Sequence, residues 1–306
     1  MDLLVVGSVA LDSVKTPFGE KERILGGSAT HFSVSASLFT PVRLVGVVGK
    51  DFPEEHLEFL RGRGIDLEGL EVADGETFRW VGEYTQNLNE AITLETHLNV
   101  FADFQPKLPE RYRSSEFVFL ANIDPELQLD VLQQVEKPRY VACDTMNFWI
   151  EGKPEALWKT LEHVDTLVIN DGEARLLAGE ENLVKAARSI LGQGPKSLIV
   201  KRGEYGALLF DKEGEFWAPA LPLDDLSDPT GAGDSFAGGF MGYLASRGEV
   251  NHANFRRAVI YGSTMASFNV QAFSLDRLRT LTPKEIEDRA RRFKALSDFD
   301  LPPRGS

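Results

Sequence analysis

The sequence contains very little cysteine and no excess of positive charge. Cys143 is the single cysteine among 306 residues, so the chain cannot form an internal disulfide or a zinc site built on cysteines. The formal charge of -14 argues against a nucleic-acid binder or a protein of anionic membrane surfaces, because both need a basic face. We therefore expect no nucleic-acid partner, no membrane partner and a reducing, cytoplasmic location.

Long apolar runs and two common nucleotide-binding motifs are also missing. The N-terminal stretch MDLLVVGSVAL is too short to span a bilayer and has no basic segment before it. It predicts a buried first strand rather than a signal peptide. The chain has no G-x-x-x-x-G-K-[ST], which excludes a P-loop kinase. After the first strand it reads GSVALD, which lacks the G-x-G-x-x-G spacing of a dinucleotide-dependent oxidoreductase.

Short, almost wholly apolar segments alternate with helical patterns along most of the chain. Strands are predicted at 3–7, 43–49, 117–122, 140–145, 166–170, 197–201 and 206–210. Helices are predicted at about 29–39, 53–62, 126–135, 155–162, 173–178 and 183–191. Strands that are apolar on both faces indicate a mostly parallel α/β sheet with helices covering both sides.

Two regions depart from this alternation. Around 19–25 and 76–101, polar and apolar residues alternate, as in TFRWVGEYTQ, which is typical of antiparallel strands with one face in water. These strands predict a small subdomain or lid. After Phe210 the chain is predicted to be largely helical, and TPKE at 282–285 reads as a capping box that starts a helix.

The stretch DPTGAGDSFAGGF, from Asp228 to Phe240, suggests the chemistry. The apolar spacing after it predicts a helix, so Gly231, Ala232 and Gly233 lie at a helix N-terminus. Free backbone N–H groups and the positive end of the helix dipole favour an anion there, and phosphate is the usual one. Asp234 would then lie beside the phosphate and could accept a proton from an attacking hydroxyl. A capped helix with glycines for tight packing explains the short loop equally well.

The whole stretch closely resembles the C-terminal signature of the ribokinase-like (PfkB) carbohydrate kinases. The segment GGSATHFSVSASLFTPVRLVGVVGKD, at 26–51, resembles the family's N-terminal signature, and the resemblance is weakest around 76–116. It implies a single ribokinase-like domain over 1–306, with a three-layer α/β/α fold and a mostly parallel central sheet. It also implies a small antiparallel β lid with strands from about 13–27 and 72–116, and ATP and Mg²⁺ as cofactors.

The resemblance assigns roles at the phosphate end of the site. Asp234 matches the catalytic base, and Gly231, Ala232 and Gly233 match the anion hole. Asp228 and Thr230, in the loop before them, match positions that in several members help to bind a monovalent cation such as K⁺. A turn organised by Asp228 explains these two residues equally well.

Two further motifs resemble the nucleotide side of the family. NDGE matches its Asn-x-x-Glu element, so Asn170 and Glu173 are expected to govern Mg²⁺ and phosphate binding, with Glu173 acting partly through water. An N-capped helix is the alternative. KRGEYG resembles the loop that binds the nucleotide phosphates and ribose, with Gly203 and Gly206 shaping its turn. Lys201 either meets a phosphate or ends a strand in solvent.

On the acceptor side, Asp12 matches an acid that accepts hydrogen bonds from sugar hydroxyls. Gly26 and Gly27 match the di-glycine where the lid joins the body, a natural hinge. His31 stands where many members place an asparagine against a hydroxyl, and the alternative is a residue on the helix surface. Asn269, late in the chain, matches a possible neighbour of adenine.

These matches predict an ATP-dependent kinase that phosphorylates a hydroxymethyl group of a sugar or sugar-containing molecule. The first alternative is a nucleoside kinase of the same fold, in which lid aromatics would stack on a base or would form the lid core; they are Phe78, Trp80, Tyr84, Phe101 and Phe104. The second is a non-catalytic sugar or nucleotide sensor, which the intact acid at 234 disfavours. Lid strands in this family often pair between subunits, so a homodimer is a further hypothesis.

Overall fold

A computed structural model describes the chain over residues 1–298 and residue 300. In chain order its strands are β1 (Leu3–Val6), β2 (Ala10–Thr16), β3 (Gly19–Gly26), β4 (Val42–Gly49), β5 (Ile65–Ala73), β6 (Arg79–Tyr84), β7 (Ala91–His97), β8 (Phe117–Leu120), β9 (Tyr140–Cys143), β10 (Thr166–Asn170), β11 (Ser197–Lys201), β12 (Ala207–Asp211) and β13 (Gly214–Ala218). Its α-helices are α1 (Ser28–Ala36), α2 (Glu54–Gly62), α3 (Pro125–Gln134), α4 (Asn147–Gly152), α5 (Pro154–Leu161), α6 (Asp171–Ala178), α7 (Leu183–Leu191), α8 (Ala232–Arg247), α9 (His252–Asn269), α10 (Asp276–Arg279) and α11 (Pro283–Ser297).

The large sheet has nine strands in the order β13-β12-β11-β10-β9-β8-β1-β4-β5. From β11 to β5 neighbouring strands run parallel, whereas β12 and β13 are antiparallel at one edge. Leu3 and Val5 pack in a core with residues of α1, α8 and α9, and Leu4 and Val6 pack in a second core with residues of α3, α5 and α7. Successive side chains of a strand point to opposite faces, so the sheet lies between two helical layers. The predicted three-layer α/β/α fold is confirmed.

Two strands of the large sheet escaped prediction, for a physical reason. β5 is an edge strand whose sequence, IDLEGLEVA, carries acids on its exposed positions and shows no continuous apolar run. β13 is also an edge strand, with alternating exposed residues. Apolar runs mark only the strands that are covered on both faces.

The small sheet has four strands in the order β3-β2-β6-β7. The predicted lid is therefore present, but its details differ from the prediction. β2 and β6 run parallel, so the lid is not wholly antiparallel. Residues 72–73 belong to β5 of the large sheet, and 98–116 contain short 3₁₀ turns rather than strands. β2 begins at Ala10, which places Asp12 on the lid itself.

Helix α8 lies between α1 and α9, and glycines allow the close approach. A Cβ on Gly238 would lie 2.3 Å from the backbone oxygen of Phe32 in α1, and one on Gly239 would lie 2.8 Å from that of Tyr261 in α9. Tight packing therefore accounts for these two glycines. The capping box of Thr282 and Glu285 forms as predicted. None of the described helices combines the length and apolar character that crossing a membrane requires.

Candidate active site

The candidate site lies where parallel strands of the large sheet end. Asp144 follows β9, Asn170 ends β10, and Lys201 ends β11. Open α/β sheets bind their ligands at this carboxyl edge, and the lid strands and the start of α8 contribute the other predicted residues.

The loop before α8 forms an anion-binding site. Gly231 is the N-cap of α8 with a φ of 72°, a left-handed conformation that favours glycine. No side chain of the described residues caps this helix end, so its backbone N–H groups are available to a ligand. A Cβ on Gly233 would lie 2.8 Å from Lys201 Nζ, so the ammonium lies directly over the loop. Of the two roles considered for Lys201, the position favours contact with a phosphate.

Asp234 lies at the centre of the predicted residues. It is partly exposed in the first turn of α8. Its negative charge contributes to the pKa shifts of groups on both the acceptor side and the nucleotide side, namely Asp12, His31, Tyr84, Asp144 and Glu173. A carboxylate in this place can face both an acceptor hydroxyl and a bound phosphate.

On the acceptor side, Asp12 packs tightly against the di-glycine. A Cβ on Gly26 would lie 2.0 Å from Asp12 Oδ2, and the N–H of Gly27 donates to the same oxygen at 3.3 Å. Asp12 Oδ1 is buried without a hydrogen-bond partner among the described residues. Burial raises the Asp12 pKa to about 7, and the charges of Asp228 and Asp234 add to this effect. The free oxygen is suited to accept a hydrogen bond from a ligand hydroxyl.

His31 is buried, which rules out the helix-surface alternative. Only 2% of it is exposed, because α1 is covered along its whole length by the sheet and α8. A Cβ on Gly231 would lie 2.3 Å from the imidazole, so the ring packs on the anion loop. Burial lowers the His31 pKa, although the nearby charges of Asp234 and Asp228 oppose this, and the ring is neutral at pH 7.

Asn269 lies beside His31 rather than on a surface that could receive adenine, so this expected contact is corrected. Its Nδ2 donates to the backbone oxygen of Thr230 at 2.8 Å, and its Oδ1 accepts from Ser235 Oγ at 2.9 Å. The same Oδ1 lies 3.1 Å from His31 Nδ1. Because Oδ1 can only accept, Nδ1 of the neutral His31 carries the proton and Nε2 is left as an acceptor.

Asp228 organises the turn before the anion loop. Its carboxylate accepts the backbone N–H of Thr230 at 2.9 Å and that of Ser274 at 3.1 Å. The first of these is the local Asx-type bond that the turn alternative required. Since both carboxylate oxygens already accept hydrogen bonds, a K⁺ site at Asp228 and Thr230 stays a prediction.

Asn170 and Glu173 form a reciprocal capping box at the start of α6. Each side chain accepts the other's backbone N–H at 2.8 Å. Burial raises the Glu173 pKa, Lys201 opposes the shift, and Asp234 adds to it. The turn after Lys201 contains Gly203 and Gly206 with φ values of 52° and 91°, as expected for glycines that shape it.

Two residues that sequence reasoning missed also reach the site. Asp144 is 4% exposed, and its Oδ1 has no hydrogen-bond partner among the described residues. Burial and the charges of Asp234 and Glu173 raise its pKa well above the usual value, while Lys201 opposes them. An acid directly after a buried strand was the available signal. Tyr84, on the lid, lies with its hydroxyl 3.4 Å from Thr230 Oγ1, and burial raises its pKa to about 12.

The acids fit a magnesium ion that keeps much of its water. Among the described residues, no group of three or more His, Cys, Asp or Glu side chains is close enough to form a full protein ligand set. Magnesium usually binds with one or two carboxylates, phosphate oxygens and water. The unpartnered oxygen of Asp144, together with nearby Glu173, provides such a pair.

The lid aromatics divide into two groups. Phe78 and Phe104 flank Phe101, with ring centroids 5.2 and 5.7 Å from it, and form part of the lid core. Trp80 is partly exposed, and its Nε1 donates to Thr93 Oγ1 at 3.1 Å. The β2–β6 register pairs Ser13 with Val81, so Trp80 neighbours Asp12 and can meet an acceptor molecule.

Comparisons with known proteins agree with this geometry. Residues 4–279 match the family described as pfkB family carbohydrate kinase. The chain is 32% identical to a cytidine kinase of Thermococcus kodakarensis over 81% of this chain and 90% of that protein. The nucleoside kinase structure of Methanocaldococcus jannaschii superposes with a TM-score of 0.75 at 21% identity, covering 95% of this chain and 98% of that chain. A ribokinase-type protein of E. coli, solved with ATP and Mg²⁺, gives a TM-score of 0.77 at 19% identity, with 95% and 99% coverage.

Proposed function

The chain belongs to the pfkB family of carbohydrate kinases and is an ATP-dependent kinase, and we propose that its acceptor is the hydroxymethyl group of a nucleoside. The observation that carries this proposal is the position of Asp234. It lies at the start of α8, with the Lys201 ammonium over the same loop and the unpartnered Asp12 oxygen on the acceptor side.

The proposed reaction is a direct transfer of the γ-phosphoryl group. Asp12 Oδ1 and His31 Nε2 accept hydrogen bonds from acceptor hydroxyls and so hold the hydroxymethyl group beside Asp234. The hydroxymethyl oxygen forms a bond to the γ-phosphorus while the bond from that phosphorus to the β–γ bridging oxygen breaks, and ADP leaves. The hydroxyl proton passes to the Asp234 carboxylate. The loop N–H groups and Lys201 stabilise the negative charge of the phosphoryl oxygens.

Magnesium is expected to bind between the nucleotide phosphates and the acidic pair described above. When bound, it neutralises charge on the phosphate oxygens. Asp144 and Glu173 would hold it, in part through water. Lys201 is a third charged group on this side and balances part of the acidity.

A nucleoside is favoured over a free sugar by Trp80 and by the relatives. The indole is the partly exposed aromatic beside Asp12, and a ribose held there would bring its base near the lid. Stacking of a base on an aromatic ring contributes about 1–3 kcal/mol. Two of the similar proteins are named cytidine kinase and nucleoside kinase.

A panel of acceptors tests the proposal. ADP release with ATP should be measured for cytidine, adenosine and inosine against ribose and fructose, with the phosphorylated product identified by mass. We expect kcat/KM for the best nucleoside to exceed that for ribose by at least about tenfold, since stacking adds binding energy. The Trp80→Ala variant should remove most of this preference and Trp80→Phe should keep part of it. A higher kcat/KM for ribose or fructose would make the protein a sugar kinase, and no product with any acceptor would favour the sensor.

We also propose a homodimer that pairs through the lid. Every residue of edge strand β7 is exposed, including Ile92 and Leu94. An exposed edge strand with apolar side chains is a surface on which another strand can pair. Sedimentation that shows only monomer at micromolar concentration would contradict this proposal.

A further inference from the structure

The lid reaches the phosphate side of the site at two points. At the end of β6, Tyr84 is 9% exposed, and its hydroxyl lies 3.4 Å from Thr230 Oγ1 in the loop before the anion hole. In the connection from β6 to β7, Asn89 lies against the nucleotide loop, because a Cβ on Gly203 would lie 1.9 Å from Asn89 Oδ1. The hairpin of β6 and β7 therefore covers the place where phosphate and acceptor meet.

The hydroxyl of Tyr84 is only weakly engaged by the protein. O–H···O hydrogen bonds are usually about 2.7–2.8 Å long, so the 3.4 Å contact with Thr230 is a weak one. No other hydrogen bond to this hydroxyl occurs in the described part of the chain. A buried hydroxyl with an unused donor is expected to find a partner when a ligand binds.

The charged neighbours of Tyr84 belong to both halves of the reaction. They are Asp12 from the acceptor side, Asp234 at the start of α8, and Asp228 in the turn before the anion loop. Tyr84 thus lies between the group that binds the acceptor and the group that takes its proton. The phenol is the one polar group at this point that the lid contributes among the described hydrogen bonds.

We propose that Tyr84 closes the acceptor site: its hydroxyl donates to the acceptor beside the reacting hydroxymethyl group, and its ring blocks water from the γ-phosphoryl group. Water is a competing acceptor in any kinase, and excluding it prevents loss of ATP by hydrolysis. The hydroxyl and the ring have separable tasks, since one binds the acceptor and the other fills space. This inference rests on the kinase reaction proposed above, although not on which acceptor is used.

Two substitutions separate these tasks, and a third serves as a control. Tyr84→Phe removes the hydroxyl and keeps the ring, whereas Tyr84→Ala removes both. Tyr112→Phe is matched, because it also removes a buried tyrosine hydroxyl, one that donates to the Asp66 backbone oxygen at 3.1 Å outside the site. For each protein, kcat and KM for the best acceptor of the panel should be measured, with the ratio of ADP formed to acceptor phosphorylated and the ADP release without acceptor.

We expect Tyr84→Phe to lower acceptor kcat/KM about tenfold, mainly through KM, as loss of one hydrogen bond predicts, and to keep the ratio near one. Tyr84→Ala should lower it by about 100-fold or more, because a loosened acceptor is misplaced, and should raise acceptor-free ADP release by at least about fivefold. KM for ATP and all properties of Tyr112→Phe should stay within about twofold.

An unchanged acceptor KM in Tyr84→Phe, or tight coupling in Tyr84→Ala, would overturn the inference. If Tyr84→Ala does not fold, Tyr84→Phe still decides whether the hydroxyl binds the acceptor. Failure of the nucleoside proposal would look different, since the wild-type protein would then prefer a free sugar. The same Tyr84 measurements would be made with that sugar.

Discussion

Replacement of Asp12 by asparagine should stabilise the ligand-free protein at alkaline pH while it weakens acceptor binding. Burial of a carboxylate against Gly26, with one oxygen unpartnered, is unfavourable when the group is charged. The Asp12 pKa is raised from 3.8 to about 7, and about 1.36 kcal/mol per pKa unit gives an upper limit of about 4 kcal/mol for this cost. Asparagine has a similar shape and no charge, and its side-chain oxygen can still accept the Gly27 N–H.

The sign of the pH dependence follows from the raised pKa. Below about pH 4 the group is protonated in both the folded and the unfolded chain, so it favours neither. As pH rises to about 7, the unfolded chain loses this proton more readily, and the free energy of unfolding of the wild-type protein falls. The asparagine side chain of the Asp12→Asn variant does not titrate, so the difference between variant and wild type should grow with pH and level off above about pH 8.

Urea unfolding followed by tryptophan fluorescence at pH 5.5 and pH 8.5 would measure this difference, since both values lie above the sequence pI of about 4.9. We expect the Asp12→Asn variant to be more stable by about 1–4 kcal/mol at pH 8.5 and by clearly less at pH 5.5. Asp103→Asn, at an exposed site, controls for the loss of one negative charge. Acceptor kcat/KM should fall about 100-fold in Asp12→Asn alone. A variant that is less stable at pH 8.5, or a difference that does not depend on pH, would refute the reasoning.

Three further substitutions test the anion loop and its surroundings. Asp234→Asn should reduce turnover by at least about 100-fold with folding and ATP binding intact, and near-normal turnover would show that another group takes the proton. Asp144→Asn should raise the Mg²⁺ concentration needed for half-maximal rate by about tenfold, whereas Asp130→Asn, at an exposed site, should not; equal Mg²⁺ curves would count against Asp144 as a ligand. Gly231→Ala introduces a Cβ 2.3 Å from the His31 ring at a φ of 72°, so thermal unfolding should shift down by several degrees with loss of activity. An unshifted transition would show that the loop can adapt.

Much of the site could be predicted because its signals are local. The run from Gly231 to Asp234 combines small residues, a helix start and an acid within one turn, and the structure has that arrangement. The strands covered on both faces were also predictable, since continuous apolar runs reflect burial. Edge strands such as β5 were not, because exposed acids interrupt their pattern.

The remaining features depend on which distant segments meet, and local patterns carry no such information. Tyr84 and Thr230 are separated by 146 positions, and His31 and Asn269 by 238. The sequence by itself determined the layered fold, the anion loop and the acid beside it, because periodicity and helix-start residues act over a few neighbours. Only the tertiary structure decided that His31 is buried against the loop, that Asn269 fixes its protonated nitrogen, and that Asp144 and Tyr84 join the site. These outcomes follow from strand order and lid position, which bring groups together across the whole chain.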